Sequence, residues 1–160
     1  MTGTRAPALG PRGEGWVVLQ MLALLAAGVV GLVGPPWPAR WEPACRAIGF
    51  ALAAGGATLA IAGIRHLGDA LTPYPRPARD AGLRETGVFR LVRHPIYGGL
   101  LLVAMGWAAL TSPLAIVPTV LLAFVFEGKR RREEAWLGQR HPAYEAYMRR
   151  VRHRFVPFLW

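Results

Sequence analysis

The sequence predicts an all-α integral membrane protein with about four transmembrane helices, the last two a short hairpin, plus a cytoplasmic amphipathic C-terminal helical segment. Two observations predict this fold class. Hydrophobic residues make up 53% of the 160-residue chain, and the charged residues are grouped in blocks. Between the blocks, residues 15–34, 47–64 and 95–126 contain no charged side chain. Because a membrane helix needs roughly 20 apolar residues, these stretches are long enough to enter a bilayer.

The first two stretches predict one helix each. Helix one is expected near 15–34 and ends at Gly34-Pro35-Pro36. It is expected to be retained and not removed as a signal peptide, because no cleavage site with suitable small residues follows it. Residues 1–14 are expected to be a disordered tail, and residues 15–160 a single membrane domain. Helix two is expected near 44–66. Small residues recur along it at three- and four-residue steps, a spacing that lets helices pack closely in lipid: Gly49, Ala53, Gly56, Ala60 and Gly63.

The third stretch predicts a hairpin. A single helix over residues 95–126 would be about 48 Å long, which exceeds a hydrocarbon core of about 30 Å. Two full spans would need about 40 residues, which is more than the stretch contains. Thr111-Ser112-Pro113 lies at its middle. We therefore expect two short helices near 95–110 and 113–128, joined by a tight turn.

The tail predicts two further helices and the orientation of the chain. A helical pattern extends over FEGKRRREEAWLGQR and is interrupted by His141-Pro142. A second short helix is expected to start at Pro142.

The basic blocks before residue 95 and after residue 128 should face the cytoplasm, together with both termini. The same rule accounts for the net charge of +10 without a nucleic-acid partner. The bias toward Ala, Arg, Gly and Pro indicates a bacterial inner-membrane protein.

The stretch RLVRHPIYGG, residues 90–99, is the first candidate site. Pro95 suits the first turn of a helix, and the free N–H groups that follow would form an anion site beside Arg93 and His94. Gly98 and Gly99 would let a ligand approach closely. The alternative is that Arg93 contacts lipid headgroups and His94 caps the helix.

The second candidate site is the acidic pair Glu133-Glu134, which follows four basic residues in the tail. A functional site here would bind a ligand with hydroxyls, an amine or a positive centre. The alternative is a solvated helix in which Arg130 pairs with the two glutamates. A metal site is not expected, because the four histidines lack ligand spacing and Cys45 is the only cysteine.

A series of motifs in this order, LTPYPRP, ETGVFRLVRHPIYGG, REEAWL, YEAY and RFVP, resembles the isoprenylcysteine carboxyl methyltransferase and phospholipid methyltransferase family over about residues 66–158. The resemblance implies an integral membrane enzyme that transfers a methyl group from S-adenosylmethionine. It implies His94, Arg93 and Glu134 as catalytic candidates. The cofactor-binding candidates are His94, Pro95, Tyr97, Gly98, Gly99, Glu133, Glu134, Leu137, Tyr144 and Tyr147.

The acceptor stays open at this stage. The resemblance implies a lipophilic small molecule or a lipidated partner that reaches the site from the bilayer and carries a carboxylate, thiol, amine or phenol. One alternative is a membrane reductase that uses NADPH, since sterol-reductase-like proteins carry a similar RHPNY stretch; Ile96 stands here in place of the Asn. The other is a non-catalytic membrane scaffold, which would leave the two candidate sites unexplained.

Overall fold

The computed structural model describes residues 7–76 and 82–159, and the described residues form helices and loops without strands. The α-helices are α1 (Glu14–Val33), α2 (Glu42–Leu67), α3 (Pro95–Leu110), α4 (Ile116–Arg140) and α5 (Tyr144–Arg150). Three 3-10 turns, at Gly68–Ala70, Gly87–Arg90 and Pro113–Ala115, lie between them. The first three α-helices agree with the sequence prediction to within two residues at each end.

Two helical segments, Glu14–Val33 and Glu42–Ala70, are long and apolar enough to cross a membrane. Less than a quarter of the apolar window of each is buried. Large apolar side chains instead point outward along the helices, for example Val18, Leu25, Leu32, Phe50 and Phe124. A helix in a soluble core would bury such residues, so this outer surface suits lipid.

The small residues of α2 pack closely against another helix, as predicted, and that helix is α3. A Cβ added at Gly56 would lie 2.6 Å from the carbonyl oxygen of Gly99, and one added at Gly49 would lie 2.9 Å from that of Gly106. Ala60 and Gly63 are also buried. The two backbones are therefore so close at these glycines that no larger side chain fits between them, as in close helix packing in lipid.

The chain reverses direction between α3 and α4, which confirms the turn at Thr111-Ser112-Pro113. Ser112 accepts a hydrogen bond from the backbone N–H of Leu114 and starts the 3-10 turn that leads into α4. The predicted end of this helix near residue 128 is wrong, because α4 continues to Arg140. No proline lies in between, and Glu127–Arg131 pairing at i, i+4 supports the extension.

Both ends of the described chain contact distant parts of the chain. Residues 1–6 of the predicted tail lie outside the described residues, and Arg12 O accepts a hydrogen bond from the backbone N–H of Arg76. At the other end, Phe155 is fully buried with Leu122 and Phe126. Helix α5 begins at Tyr144, two residues later than predicted, because Pro142 lies in the preceding turn.

Candidate active site

Helix α3 begins beside the C-terminal segment of the chain. The backbone N–H groups of Arg93 and His94 donate to the carbonyl oxygens of His153 and Arg154, at 3.1 and 2.8 Å. Pro95 follows at the first helical position, where a missing N–H leaves no donor unpaired. This pairing fixes the backbone from which the Arg93 and His94 side chains extend toward α4.

Glu134 on α4 is the point where three nitrogen-bearing side chains converge. Arg93 Nε donates to Glu134 Oε1 at 2.9 Å, and His94 Nε2 lies 3.0 Å from the same oxygen. Arg130 Nη1 donates to the other oxygen, Oε2. The RHP stretch and the glutamate pair therefore meet in the structure, and their contact depends on the reversal between α3 and α4.

The network keeps Glu134 ionised. Burial by itself raises the pKa of this carboxyl, since only 11% of the side chain is exposed. The hydrogen bond and charge of His94, with the charges of Arg130 and Arg93, outweigh burial and lower the pKa to about 2. Glu134 thus links α3 to α4 as a carboxylate and is not a proton donor at neutral pH.

Glu133, the neighbouring residue, lies in a different environment. The hydroxyl of Tyr97 donates to Glu133 Oε2 at 2.6 Å, and His94 Nδ1 lies 3.9 Å from that oxygen. The Tyr97 ring is stacked between His94 and Phe126, with ring centroids 5.4 and 4.8 Å apart. Glu133 is more exposed than Glu134, at 26% of its side chain. This glutamate is held by one hydroxyl and has no guanidinium partner among the described residues.

A cavity of about 310 Å³ lies beside this cluster. Its volume is at the lower end of the range of small-molecule sites, about 300–1,000 Å³. Most of the predicted site residues line it, from three different helices and the segment before α3: Arg93, His94, Pro95, Tyr97, Glu133, Leu137, Tyr144 and Tyr147. The cavity therefore combines one partly exposed carboxylate with several aromatic rings.

Three of the predicted site residues do not line the cavity. Gly98 packs against the carbonyl group of Phe155, and a Cβ there would overlap it. Gly99 faces α2, where a Cβ would lie 2.7 Å from Ala60. The sequence predicted that a ligand would approach these glycines. Both instead pack against other parts of the protein, which leave no room for a ligand beside them. Glu134, the third, is enclosed by its nitrogen partners.

Arg93 is also placed differently from the sequence expectation. Its guanidinium donates to Glu134 and, through Nη1, to the carbonyl oxygens of Val151 and Arg152 at 2.6 and 3.1 Å. The group expected to bind a ligand anion is thus largely occupied by the protein. Contact with lipid headgroups, the alternative, is also not seen, because the Arg93 side chain is only 7% exposed.

Helix α5 contributes Tyr144 and Tyr147 to the wall of the cavity. Tyr147 donates through its hydroxyl to the carbonyl of Phe89 at 2.7 Å. Burial raises the pKa of both Tyr144 and Tyr147 well above the usual value, and nearby glutamates add to the effect. Both phenols therefore stay protonated at any physiological pH and offer neutral aromatic faces.

Several lining residues were missed by the sequence reasoning. The loop after α2 contributes Thr72 and Tyr74, α1 contributes Gln20, and α4 contributes Lys129. The first two lie in the motif LTPYPRP. Gln20 is the one amide in an otherwise apolar helix, and that signal was present in the sequence.

The helical fold, the outward-facing apolar surface and the cavity are typical of a membrane protein with a candidate small-molecule site beside its apolar helices. Within that class, the sequence matches the phospholipid methyltransferase family over residues 44–143. The chain belongs to this family, which implies membrane methyltransferase activity. The matched range includes the RHP stretch and both glutamates. No curated protein matches the chain.

Proposed function

We propose that the protein transfers a methyl group from S-adenosylmethionine to a lipophilic acceptor that reaches the cavity from the bilayer. The observation that carries this proposal is the cavity itself, in which a partly exposed carboxylate, Glu133, lies among aromatic rings. Such a set suits a ligand with hydroxyls, an amine and a cationic sulfur. The family match supports the same reaction type.

The residues of the cavity have separate roles in this proposal. Glu133 accepts hydrogen bonds from the ribose hydroxyls or the amine of the cofactor, while Tyr97 holds the carboxylate in place. Leu137, Tyr144 and Tyr147 provide apolar and aromatic contact for the adenine or the sulfonium. When bound, S-adenosylmethionine supplies the reactive methyl group, and the protein contributes mainly by positioning the two reactants.

Whether a base takes part depends on the acceptor. A carboxylate or thiolate needs none, whereas a protonated amine or a phenol must lose a proton first. His94 and Glu133 line the cavity and can serve that purpose. Because Glu134 is enclosed by Arg93, His94 and Arg130, its role in the proposal is to position His94.

The orientation and location belong to the same proposal. We place α1, α2, α3 and the first part of α4 in a bacterial inner membrane, with the basic segments and both termini in the cytoplasm. The basic residues on either side of the α3–α4 hairpin support this orientation. The cavity would then open at the cytoplasmic side, and the acceptor would enter it laterally.

Ligand binding to the purified protein in detergent tests the proposal. S-adenosylmethionine or S-adenosylhomocysteine should raise the melting temperature, and NADPH should not. Glu133→Gln should weaken the binding of S-adenosylhomocysteine at least tenfold, about 1.4 kcal/mol. Glu145→Gln, at a glutamate whose side chain is 76% exposed, is the matched control and should not change it.

Two results would contradict the proposal. Stabilisation by NADPH alone would favour the reductase, and stabilisation by none of these ligands would favour a scaffold. Labelled methyl transfer into a total lipid and membrane extract, followed by mass spectrometry, would then identify the acceptor of an active enzyme.

A further inference from the structure

Lys129 is the only lysine in the chain. The other eighteen of the nineteen lysine and arginine residues are arginines. It lies on α4, one turn before Glu133, and is 2% exposed. Its Nζ donates to Gln20 Oε1 at 2.6 Å and lies 4.9 Å from the centre of the Tyr97 ring. Both Lys129 and Gln20 line the cavity. The single lysine is therefore buried at the wall of the candidate site.

The partners of Lys129 differ from those of the other buried cations. Arg93 and Arg130 each form an ion pair with a glutamate. By contrast, no carboxylate oxygen of a described residue lies within 4.0 Å of Lys129 Nζ. An ammonium group has three N–H donors, and one of them is used by Gln20. The charge of Glu133, one turn away, acts on this ammonium without a direct ion pair within 4.0 Å. A buried charge without a directly paired counterion is costly, so this amine is suited to an anionic partner from outside the protein.

The position of Lys129 indicates which ligand supplies that partner. Gln20 is the only residue of 15–34 with a side-chain oxygen, and it lies in the apolar helix α1. Leu100, on the second turn of α3, also lines the cavity. Gln20 and Leu100 line it from the apolar helices, whereas Tyr144 and Leu137 line it from the tail. A lipophilic molecule with a polar head would place its head at Lys129.

We infer that Lys129 and Gln20 determine acceptor specificity by binding an anionic oxygen in the head of the methyl acceptor. This inference rests on the proposed function and narrows the acceptor to an amphiphile with a carboxylate, phosphate or phenolate oxygen. Lysine suits the site because its ammonium is a compact point charge that fits between the amide and the ring, whereas arginine is a broad planar fork. Tyr97 contacts two charged residues of the cavity wall, since its ring faces Lys129 and its hydroxyl binds Glu133.

Binding of three probes with the same twelve-carbon tail tests the inference: dodecanoate, dodecyl phosphate and dodecanol, each titrated into the full-length protein in a non-ionic detergent. At least one anionic probe should bind tenfold more tightly than dodecanol. The better of the two anions then tells whether a carboxylate or a phosphate fits the site. Equal affinity for all three probes would overturn the inference.

Lys129→Met removes the charge and keeps an unbranched side chain that is one atom shorter. This variant should lose the preference for the anion while its affinity for dodecanol stays the same, and Gln20→Leu should reduce the preference less. Arg131→Met is the matched control, because it removes one positive charge from an exposed position on the same helix. An equal loss of preference in Arg131→Met would mean that net charge, and not the site, attracts the anion.

Binding of S-adenosylhomocysteine, measured in parallel, separates this inference from the proposed function. Failure of the wild-type protein to bind it would count against the proposed function, whatever the amphiphiles do. If Lys129→Met weakens S-adenosylhomocysteine tenfold without changing the preference among the probes, Lys129 binds the carboxylate of the methyl donor and the inference is wrong.

The single lysine also permits a test without substitution. Biosynthetic labelling with 13Cε-lysine gives one resonance, which should shift on addition of the preferred anion and stay in place with dodecanol. A shift of equal size with dodecanol would contradict a contact between Lys129 and the anionic oxygen.

Discussion

Replacement of Glu134 by glutamine should destabilise the protein by about 3 kcal/mol. The change removes the charge on which Arg93, His94 and Arg130 converge, at a side chain that is 11% exposed. Lowering the pKa from 4.5 to about 2 corresponds to about 3 kcal/mol, because one pKa unit is worth about 1.4 kcal/mol. Breaking a buried ion pair by removing one partner typically costs about 3–5 kcal/mol, which agrees.

The assay is thermal unfolding in detergent, followed by the fluorescence of the six tryptophans. For a chain of this size, about 3 kcal/mol corresponds to a melting temperature lower by about 6–12 °C. Glu134 has a lower pKa when folded than when unfolded, so its contribution is complete above about pH 4.5 and is lost as the pH falls toward 2. The difference between wild type and Glu134→Gln should therefore narrow below about pH 4.5.

Two controls make this prediction specific. Glu133→Gln removes a carboxylate held by one tyrosine hydroxyl, and should cost about 1 kcal/mol. Glu145→Gln removes an exposed i, i+4 pair with Arg149, and should cost less than about 0.5 kcal/mol. If Glu134→Gln is no more destabilising than Glu145→Gln, the convergent network does not hold α3 to α4 as we argue.

Two further predictions concern helix packing and topology. Gly56→Leu should destabilise the protein by about 1–3 kcal/mol or more, because its Cβ would lie 2.6 Å from a carbonyl oxygen of α3, whereas Gly55→Leu, with open space around it, should be tolerated; equal melting temperatures would refute this. A single cysteine at Arg84 or Gln139, in a Cys45→Ala background, should react with an impermeant thiol reagent only after cells are opened. Labelling of the Gln139 position alone in intact cells would place the two sides of the hairpin across the membrane from each other.

Much of the helical structure could be predicted because its signals are local. The missing charges over 15–34 and 47–64, and Pro95 at a helix start, depend on neighbouring residues only. The small-residue spacing of α2 indicated a packing face, which the structure places against α3. The length of residues 95–126 was enough to predict the reversal, since one straight helix would be too long for a bilayer.

Other features could not be predicted, because they depend on contacts between distant parts of the chain. The end of α4 was placed too early, as the apolar run ends at Phe126 while the helix continues through charged residues paired along its surface. Gly98 was assigned to ligand approach, but Phe155, far along the chain, fills the space beside it. A glycine in a sequence indicates that another group can come close to the backbone there, but it does not identify that group.

The sequence by itself determined the all-helical class, the order of the α-helices and the two stretches that meet at the site. It did not determine their number, because the helices expected near 113–128 and in FEGKRRREEAWLGQR form one continuous helix, α4. Apolar length, helix starts and charge blocks are properties of consecutive residues, and these determine helices and their exposure to lipid. Only the tertiary structure decided which of two adjacent glutamates faces the cavity and which is enclosed by Arg93, His94 and Arg130. Neighbouring residues on a helix point about 100° apart, so the positions of α3, α5 and the C-terminal segment around α4 leave Glu133 facing the cavity and enclose Glu134.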